Sequence, residues 1–255
     1  MNKRLWIVLA ILVVATIGGL VWWRSAQSGD KNYVDYLDGT TRLTSQNISD
    51  AKNKAANGGQ IAQNFKASGT IIPDHYLGKT DSKVVVVEYE DFACSACIAL
   101  SPYAAKIHDD YKDRVLFIYR NFNLGQNTST LSESAAEAAY LIGGDTETAR
   151  ETTFWQMHDL LFSDQTCMEG NDKNTCQNKI MSYAAQLKFD ITKFTNGLND
   201  FTTNGVQDKI QRDKALGLAA GVNATPTWFV NGKKIQGAND STMRSAIDGA
   251  LKNAK

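Results

Sequence analysis

The chain has 255 residues, and its 27 lysine and arginine residues balance 27 aspartate and glutamate residues, so the formal net charge is zero. This length accommodates one domain of ordinary size with appendages, and the charge balance gives no indication of a nucleic-acid partner. The four cysteines form two local pairs, Cys94/Cys97 and Cys167/Cys176. An even count in short-range pairs is compatible with an oxidising compartment.

The N-terminus predicts a membrane anchor over residues 1–24. Two basic residues precede residues 5–23, which carry no charge and are long enough to cross a lipid bilayer as a helix. The basic residues are expected to stay in the cytoplasm, so the chain after Arg24 is expected to be extracytoplasmic. The alternative is a signal peptide cleaved near Ala26–Ser28, which leads to a secreted or periplasmic protein.

Residues 25–70 are rich in small polar and charged residues and predict a stalk between membrane and domain. A run of valines from Val84 to Val87 then predicts a strand that is buried on both faces. The Cys-x-x-Cys pair follows, with a helical pattern over residues 98–107 and a second strand over residues 114–120. The helix between the strands predicts a right-handed βαβ unit with parallel strands.

Helical patterns replace strand patterns after this unit and predict a helical insertion over about residues 128–205. The predicted helices are residues 132–141, 153–162, 180–187, 191–201 and 206–220. A β-hairpin is expected next, because Asn231–Gly232 is a favoured two-residue turn. Residues 241–251 carry apolar side chains on one stripe and predict a final helix.

The first cysteine pair has the position expected of a redox centre. A strand, a short turn and a helix place Cys94 at a helix N-terminus, where free N–H groups and the helix dipole stabilise a thiolate. We therefore predict Cys94 as the nucleophile and Cys97 as its resolving partner. The alternatives are a stable disulfide or half of a zinc site, although the wide spacing of Cys167 and Cys176 is unfavourable for zinc.

The second cysteine pair flanks a polar loop inside the helical insertion. A structural disulfide between Cys167 and Cys176 is the favoured interpretation, and a second redox relay is the alternative. The sequence predicts neither a metal nor an organic cofactor.

The order of these elements resembles the DsbA-like branch of the thioredoxin superfamily, from Pro73 to Leu251. The matching stretches are residues 74–78, 88–94, 154–162 and 221–232. The resemblance implies an α/β thioredoxin fold with an inserted helical domain over residues 71–255. It also implies thiol–disulfide oxidoreductase activity.

The same resemblance implies roles for three further residues. Pro226 is expected to be cis and to face Cys94, with the backbone of Thr225 open to pairing with an extended client chain. Glu88, six residues before Cys94, is implied as a buried acid that accepts a proton from Cys97. The alternative for Glu88 is a solvated glutamate at the end of the strand.

The remaining titratable residues near these motifs predict no chemistry of their own. Glu90 and Asp91 are expected to be exposed loop charges. The three histidines, His75, His108 and His158, lie far apart in sequence without ligand spacing or a paired acid. We expect surface or packing positions for them.

One departure from the family pattern leaves the direction of electron flow open. Ser95–Ala96 stands where strong oxidants of this branch have a proline or a histidine, so we expect Cys94 to be less acidic than in those proteins. The predicted function is a bacterial membrane-anchored oxidoreductase that forms disulfides in unfolded exported proteins and is reoxidised by a membrane quinone-linked thiol oxidase. A reductase or isomerase, and a non-catalytic envelope adaptor with structural cysteines, are the alternatives.

Overall fold

The computed structural model describes residue 44 and residues 71–125, 128–168, 170–200, 202–236 and 239–254. The predicted transmembrane segment, residues 5–23, lies outside these ranges, as does the predicted stalk apart from Thr44. Within the described ranges, none of the helices has the length and apolar character needed to cross a bilayer.

Five strands and seven helices occupy the described part of the chain. In order they are β1 (His75–Gly78), β2 (Val85–Glu90), α1 (Ser95–Tyr111), β3 (Leu116–Asn121), α2 (Ser129–Ile142), α3 (Glu147–Ser163), α4 (Lys173–Gln186), α5 (Ile191–Asn199), α6 (Val206–Ala219), β4 (Thr227–Val230), β5 (Lys233–Gln236) and α7 (Asp240–Asn253).

The strands form one mixed sheet in the order β1-β3-β2-β4-β5. β2 runs parallel to β3, which confirms the predicted βαβ unit, and β4 and β5 add to β2 as an antiparallel hairpin. β1 pairs antiparallel with β3. The sequence predicts only an ordered lead-in for residues 71–78, because β1 exists through pairing with a strand about 40 residues later, which no local pattern reports.

The valine run forms a central strand because both of its faces are covered. Val84 and Val86 pack on one side with residues of α1 and α7. Val85 and Val87 pack on the other side with Phe229 of β4. Packing on both faces removes the valine side chains from water, which stabilises the strand by about 25 cal/mol per Å² of apolar surface buried. This strand ends beside the cysteine pair and fixes its position.

Helices α2 to α5 follow β3 in the stretch where the sequence predicts a helical insertion, and α6 then leads to the C-terminal hairpin. The alanine-rich α2 packs in a single core cluster with apolar residues of α3, α4 and α5. α4 begins at Lys173, seven residues before the predicted start. The earlier start has a local cause, because the carboxylate of Asp172 accepts a hydrogen bond from the N–H of Thr175 and caps the helix.

Candidate active site

The turn before the cysteine pair is fixed by Asp91. One carboxylate oxygen accepts the N–H of Ala93, and the other accepts the N–H of Leu124 and the hydroxyl of Ser129. Asp91 is fully buried, so the prediction of an exposed loop charge is wrong. Its hydrogen bonds to a later loop and to α2 replace the water that a loop aspartate would bind.

Cys94 is the N-cap residue of α1, as the strand–turn–helix pattern predicts. The Cys94 side chain keeps a small exposed fraction of 8%, whereas Cys97 is fully buried at 0%. Both thiols are free in this structure. The first sulfur is therefore the one that a substrate can approach.

The surroundings of Cys94 favour its thiolate. A hydrogen bond from the Cys97 thiol is the largest influence and lowers the pKa of Cys94, and burial opposes it. Further hydrogen bonds from the Thr225 hydroxyl and from the N–H groups of Cys97 and Ala96 bring the pKa to about 5. These N–H groups are the free donors of the first helical turn. Cys94 is therefore mostly ionised at neutral pH.

Cys97 has the opposite electrostatic environment. Burial is the largest cause that raises the pKa of the Cys97 thiol well above its ordinary value, and the adjacent Cys94 and the charge of Glu90 add to it. The pair thus consists of an accessible thiolate and a sheltered thiol. Such asymmetry assigns attack on an incoming sulfur to Cys94 and resolution to Cys97.

The predicted cis bond between Thr225 and Pro226 is confirmed. The Cys94 thiol donates a hydrogen bond to the Thr225 carbonyl over 3.5 Å, which places the cis-proline loop against the sulfur. The Thr225 hydroxyl is buried and has no other hydrogen-bond partner among the described residues, so it is available to the Cys94 thiolate.

A groove of about 580 Å³ adjoins this arrangement. Pro226 borders it, together with mainly apolar residues of α1 and the polar residues Asn239, Asp240 and Ser241 at the start of α7. Tyr103 of α1 contributes a largely exposed ring to the wall. An apolar groove beside an accessible thiolate suits the side chains that flank a cysteine in an unfolded polypeptide.

Glu88 is buried, so its solvated alternative is wrong. Its carboxylate lies 2.8 Å from Nε2 of His108, which projects from α1. Burial is the largest influence and works against protonation of His108, but the charge and hydrogen bond of Glu88, with the charges of Glu90 and Asp159, together raise the pKa of His108. Glu88 is thus one half of a buried ion pair with His108 and is not an isolated acid.

Glu90 is the acid whose charge acts on both thiols. The Glu90 side chain is only 3% exposed and accepts a 2.7 Å hydrogen bond from the Trp228 indole. Burial, followed by the charge of Glu88, raises the pKa of Glu90 to about 8. The prediction of an exposed residue is wrong because β2 continues to Glu90. Val86, Glu88 and Glu90 therefore alternate onto the face beneath α1, a period-2 signal that the sequence does contain.

All three histidines are buried, which confirms packing positions and excludes surface ones. All three have a paired acid that the sequence did not indicate. His75 lies between Glu137 at 2.8 Å and Glu151 at 3.4 Å. These partners are more than 60 residues away along the chain, beyond the reach of local spacing.

The second cysteine pair forms the predicted disulfide between Cys167 and Cys176. Both residues are buried in the core of the helical insertion. The Thr128 hydroxyl donates to the Cys167 carbonyl and ties the bridge to the beginning of α2. Because the two sulfurs are bonded to each other, they do not complete a zinc site with Cys94 and Cys97.

Comparison with known proteins agrees with this geometry. The family model described as thioredoxin matches residues 70–249. Among solved structures, BdbD from Bacillus subtilis in its oxidised form is 26% identical with a TM-score of 0.60, and the match covers 70% of this chain and 93% of BdbD. Wolbachia pipientis α-DsbA1 is 19% identical with a TM-score of 0.59, covering 74% and 98% of the two chains.

Proteins named as Na⁺/H⁺ antiporters also match part of this chain. An Na⁺/H⁺ antiporter NhaA 3 of Salinispora tropica is 31% identical over 183 residues, which are 71% of this chain and 25% of that protein. An antiporter NhaA of Herminiimonas arsenicoxydans is 27% identical over 174 residues, again 25% of its length. The chain therefore spans about a quarter of the relatives it matches.

Proposed function

The chain belongs to the thioredoxin family as a thiol–disulfide oxidoreductase of DsbA type, and from this premise we propose that it forms disulfide bonds in exported proteins. The observation that carries the proposed direction is the stabilised Cys94 thiolate, with a pKa of about 5. This value lies between about 3.5 for DsbA and about 7 for thioredoxin. A stabilised thiolate favours the reduced form of the pair, which makes its disulfide an electron acceptor.

The proposed oxidation proceeds by two thiol–disulfide exchanges. A client thiolate attacks the Cys94 sulfur, the Cys94–Cys97 bond breaks, and Cys97 leaves as a thiolate that takes up a proton. A second client thiolate attacks the client sulfur of this mixed disulfide, and Cys94 leaves as its stable thiolate. The client loses two electrons and the cysteine pair gains them.

The client is held, in this proposal, by the cis-proline loop and the groove beside it. The backbone of Thr225 offers hydrogen bonds to an extended chain, and the groove near Tyr103 accepts the neighbouring apolar side chains. Thr225 and Pro226 are thus the proposed substrate-binding residues. Main-chain pairing of this kind tolerates many sequences, as a catalyst with unfolded clients requires.

We assign the proton exchange with Cys97 to Glu90 rather than to Glu88. Glu90 exerts its charge on the Cys97 thiol, whereas Glu88 is engaged by His108. A pKa of about 8 leaves Glu90 mainly protonated at pH 7, with roughly a tenth of it ionised. A group in that range both accepts and returns a proton efficiently.

The proposed location and partner follow from the sequence before residue 71. Residues 5–23 are proposed as a single anchor in the bacterial cell membrane, with the described domain on the extracytoplasmic side. A membrane quinone-linked thiol oxidase is the proposed acceptor of the electrons that the pair collects. Signal cleavage would leave the chemistry unchanged and release the domain.

The direction is tested by offering the protein two substrates. The oxidised protein, mixed with a reduced and unfolded ribonuclease, is expected to introduce disulfides stoichiometrically and to lose its own. The reduced protein should reduce insulin disulfides only slowly. Rapid insulin reduction without ribonuclease oxidation would favour the reductase alternative, and inactivity in both assays would favour the adaptor.

A further inference from the structure

A cavity of about 370 Å³ lies behind the cysteine pair, between α1 and α3. Its buried lining includes Glu88, Glu90 and His108. Its exposed lining includes Asp159 and Ser163 of α3, so the cavity reaches solvent there. This opening is separate from the client groove, whose lining shares no residue with the cavity.

His158 joins the buried and exposed parts of this lining. The His158 side chain is 8% exposed, and its Nδ1 lies 2.9 Å from a carboxylate oxygen of Asp159. Its Nε2 has no hydrogen-bond partner among the described residues. A buried, unpartnered ring nitrogen that shares a cavity of this size with the side chains of Glu88, Glu90 and His108 makes a site with the room and the polar partners that a bound water requires.

Proton exchange at Cys97 requires a connection between the buried thiol and solvent. Cys97 is fully buried and Glu90 is nearly so, yet a proton must enter or leave this pair in every exchange cycle. The exposed side of the pair is occupied by the client during the same step. Proton transfer therefore needs a route on the opposite side of α1, where the cavity lies.

We propose that this cavity is the proton outlet of the active site and that His158 relays the proton between Glu90 and solvent. The inference rests on the proposed thiol–disulfide exchange. As the Cys97 sulfur attacks a mixed disulfide at Cys94, the S–H proton passes to the Glu90 carboxylate and the partner leaves as a thiolate. The proton then crosses cavity water to Nε2 of His158, and the ring releases a proton from Nδ1 toward Asp159 and bulk water.

The test follows one step, the attack of Cys97 on a glutathione mixed disulfide. Reduced protein is mixed with excess oxidised glutathione, quenched with acid and analysed by mass spectrometry. We expect His158→Gln to slow the decay of the mixed disulfide about tenfold, less than the roughly hundredfold or more of direct acid–base catalysis, because water still enters the cavity. Ser163→Ala, at the same opening, should decay at the wild-type rate.

Chemical rescue separates a relay from a structural role. His158→Ala leaves space for a ring, and added imidazole should restore its decay rate toward the wild-type value. The redox potential of either variant should equal that of the wild type, because His158 alters a rate and not an equilibrium. Wild-type decay in His158→Gln would overturn the proposal, as would a slow His158→Ala that imidazole does not restore. A wild-type protein that forms neither the mixed disulfide nor the Cys94–Cys97 disulfide would contradict the proposed function itself.

Discussion

Replacing Cys97 with alanine is expected to convert the protein from a turnover catalyst into one that remains covalently attached to its substrate. The Cys94 thiolate still attacks a substrate disulfide, that bond breaks, and one substrate sulfur stays on Cys94. No second thiol is present to displace it. Turnover should fall by on the order of a thousandfold or more, as when a nucleophile of a catalytic unit is removed.

Mass spectrometry after incubation with oxidised glutathione measures this result directly. Cys97→Ala should accumulate one glutathione adduct per chain. Cys94→Ser should form none, because its free Cys97 thiol is fully buried and the Cys167–Cys176 sulfurs are bonded to each other. The adduct should form more slowly than with the wild-type nucleophile at neutral pH. The hydrogen bond from Cys97 is the largest influence that lowers the pKa of Cys94, and the variant lacks it.

Two outcomes would contradict this account of the cysteines. An adduct on the Cys94→Ser variant would show that another cysteine is the nucleophile. The absence of adducts on both variants, with exported polypeptides as well as glutathione, would support the adaptor alternative, in which the cysteines are structural.

Replacing Arg120 with methionine is expected to lower the free energy of unfolding by about 3–5 kcal/mol. Arg120 is fully buried in β3 and makes two hydrogen bonds to the Asp74 carboxylate and one to the Tyr89 hydroxyl. Without the guanidinium, the Asp74 charge remains buried and loses its closest partner. Arg120→Met should therefore lower the free energy of unfolding more than the double variant Asp74→Asn with Arg120→Met, which retains neither charge.

Urea unfolding followed by circular dichroism measures these differences, and Arg244→Met is the matched control. Arg244 pairs with Asp110 and Asp240 at the surface, so its replacement should change the free energy of unfolding by less than about 1 kcal/mol. If Arg120→Met lowered the free energy of unfolding by no more than Arg244→Met does, the buried pair would not stabilise the fold.

Acid should weaken the buried pair in a defined range of pH. Burial alone would raise the pKa of Asp74, but Arg120, Lys209 and Arg212 together lower it from 3.8 to about 2. A lowered pKa in the folded state contributes stability above the ordinary value, and that stability is lost as the pH falls through the folded value. The stability difference between wild type and Asp74→Asn should therefore shrink between about pH 4 and pH 2.

The elements with strong local patterns are those that the sequence predicts well. The valines of β2 specify a strand because every side chain in the run prefers a packed, extended backbone. The turn at Asn231–Gly232 follows from two residues that tolerate positive φ, and the structure has φ values of 45° and 79° there. The cis bond at Pro226 is implied only by the family resemblance, because a sequence does not distinguish a cis proline from a trans one.

The polar interior is the part that local patterns could not predict. A charged residue is ordinarily interpreted as exposed, so Glu90, Asp91 and His108 were expected at the surface or in packing positions without partners. Their burial depends on partners from distant elements, such as Trp228 for Glu90, 138 residues later. Glu90, Asp91 and His108 are compensated by partners from other elements, and such compensation is a property of the three-dimensional fold.

The reduction potential of the Cys94–Cys97 pair is the measurement that tests the central claim most directly. Equilibration in glutathione buffers, followed by alkylation and mass spectrometry, gives the fraction oxidised. The stabilised Cys94 thiolate predicts a potential of about −180 mV or less negative, between those of protein disulfide isomerase and DsbA. A value close to the −270 mV or so of thioredoxin would contradict disulfide formation as the proposed function.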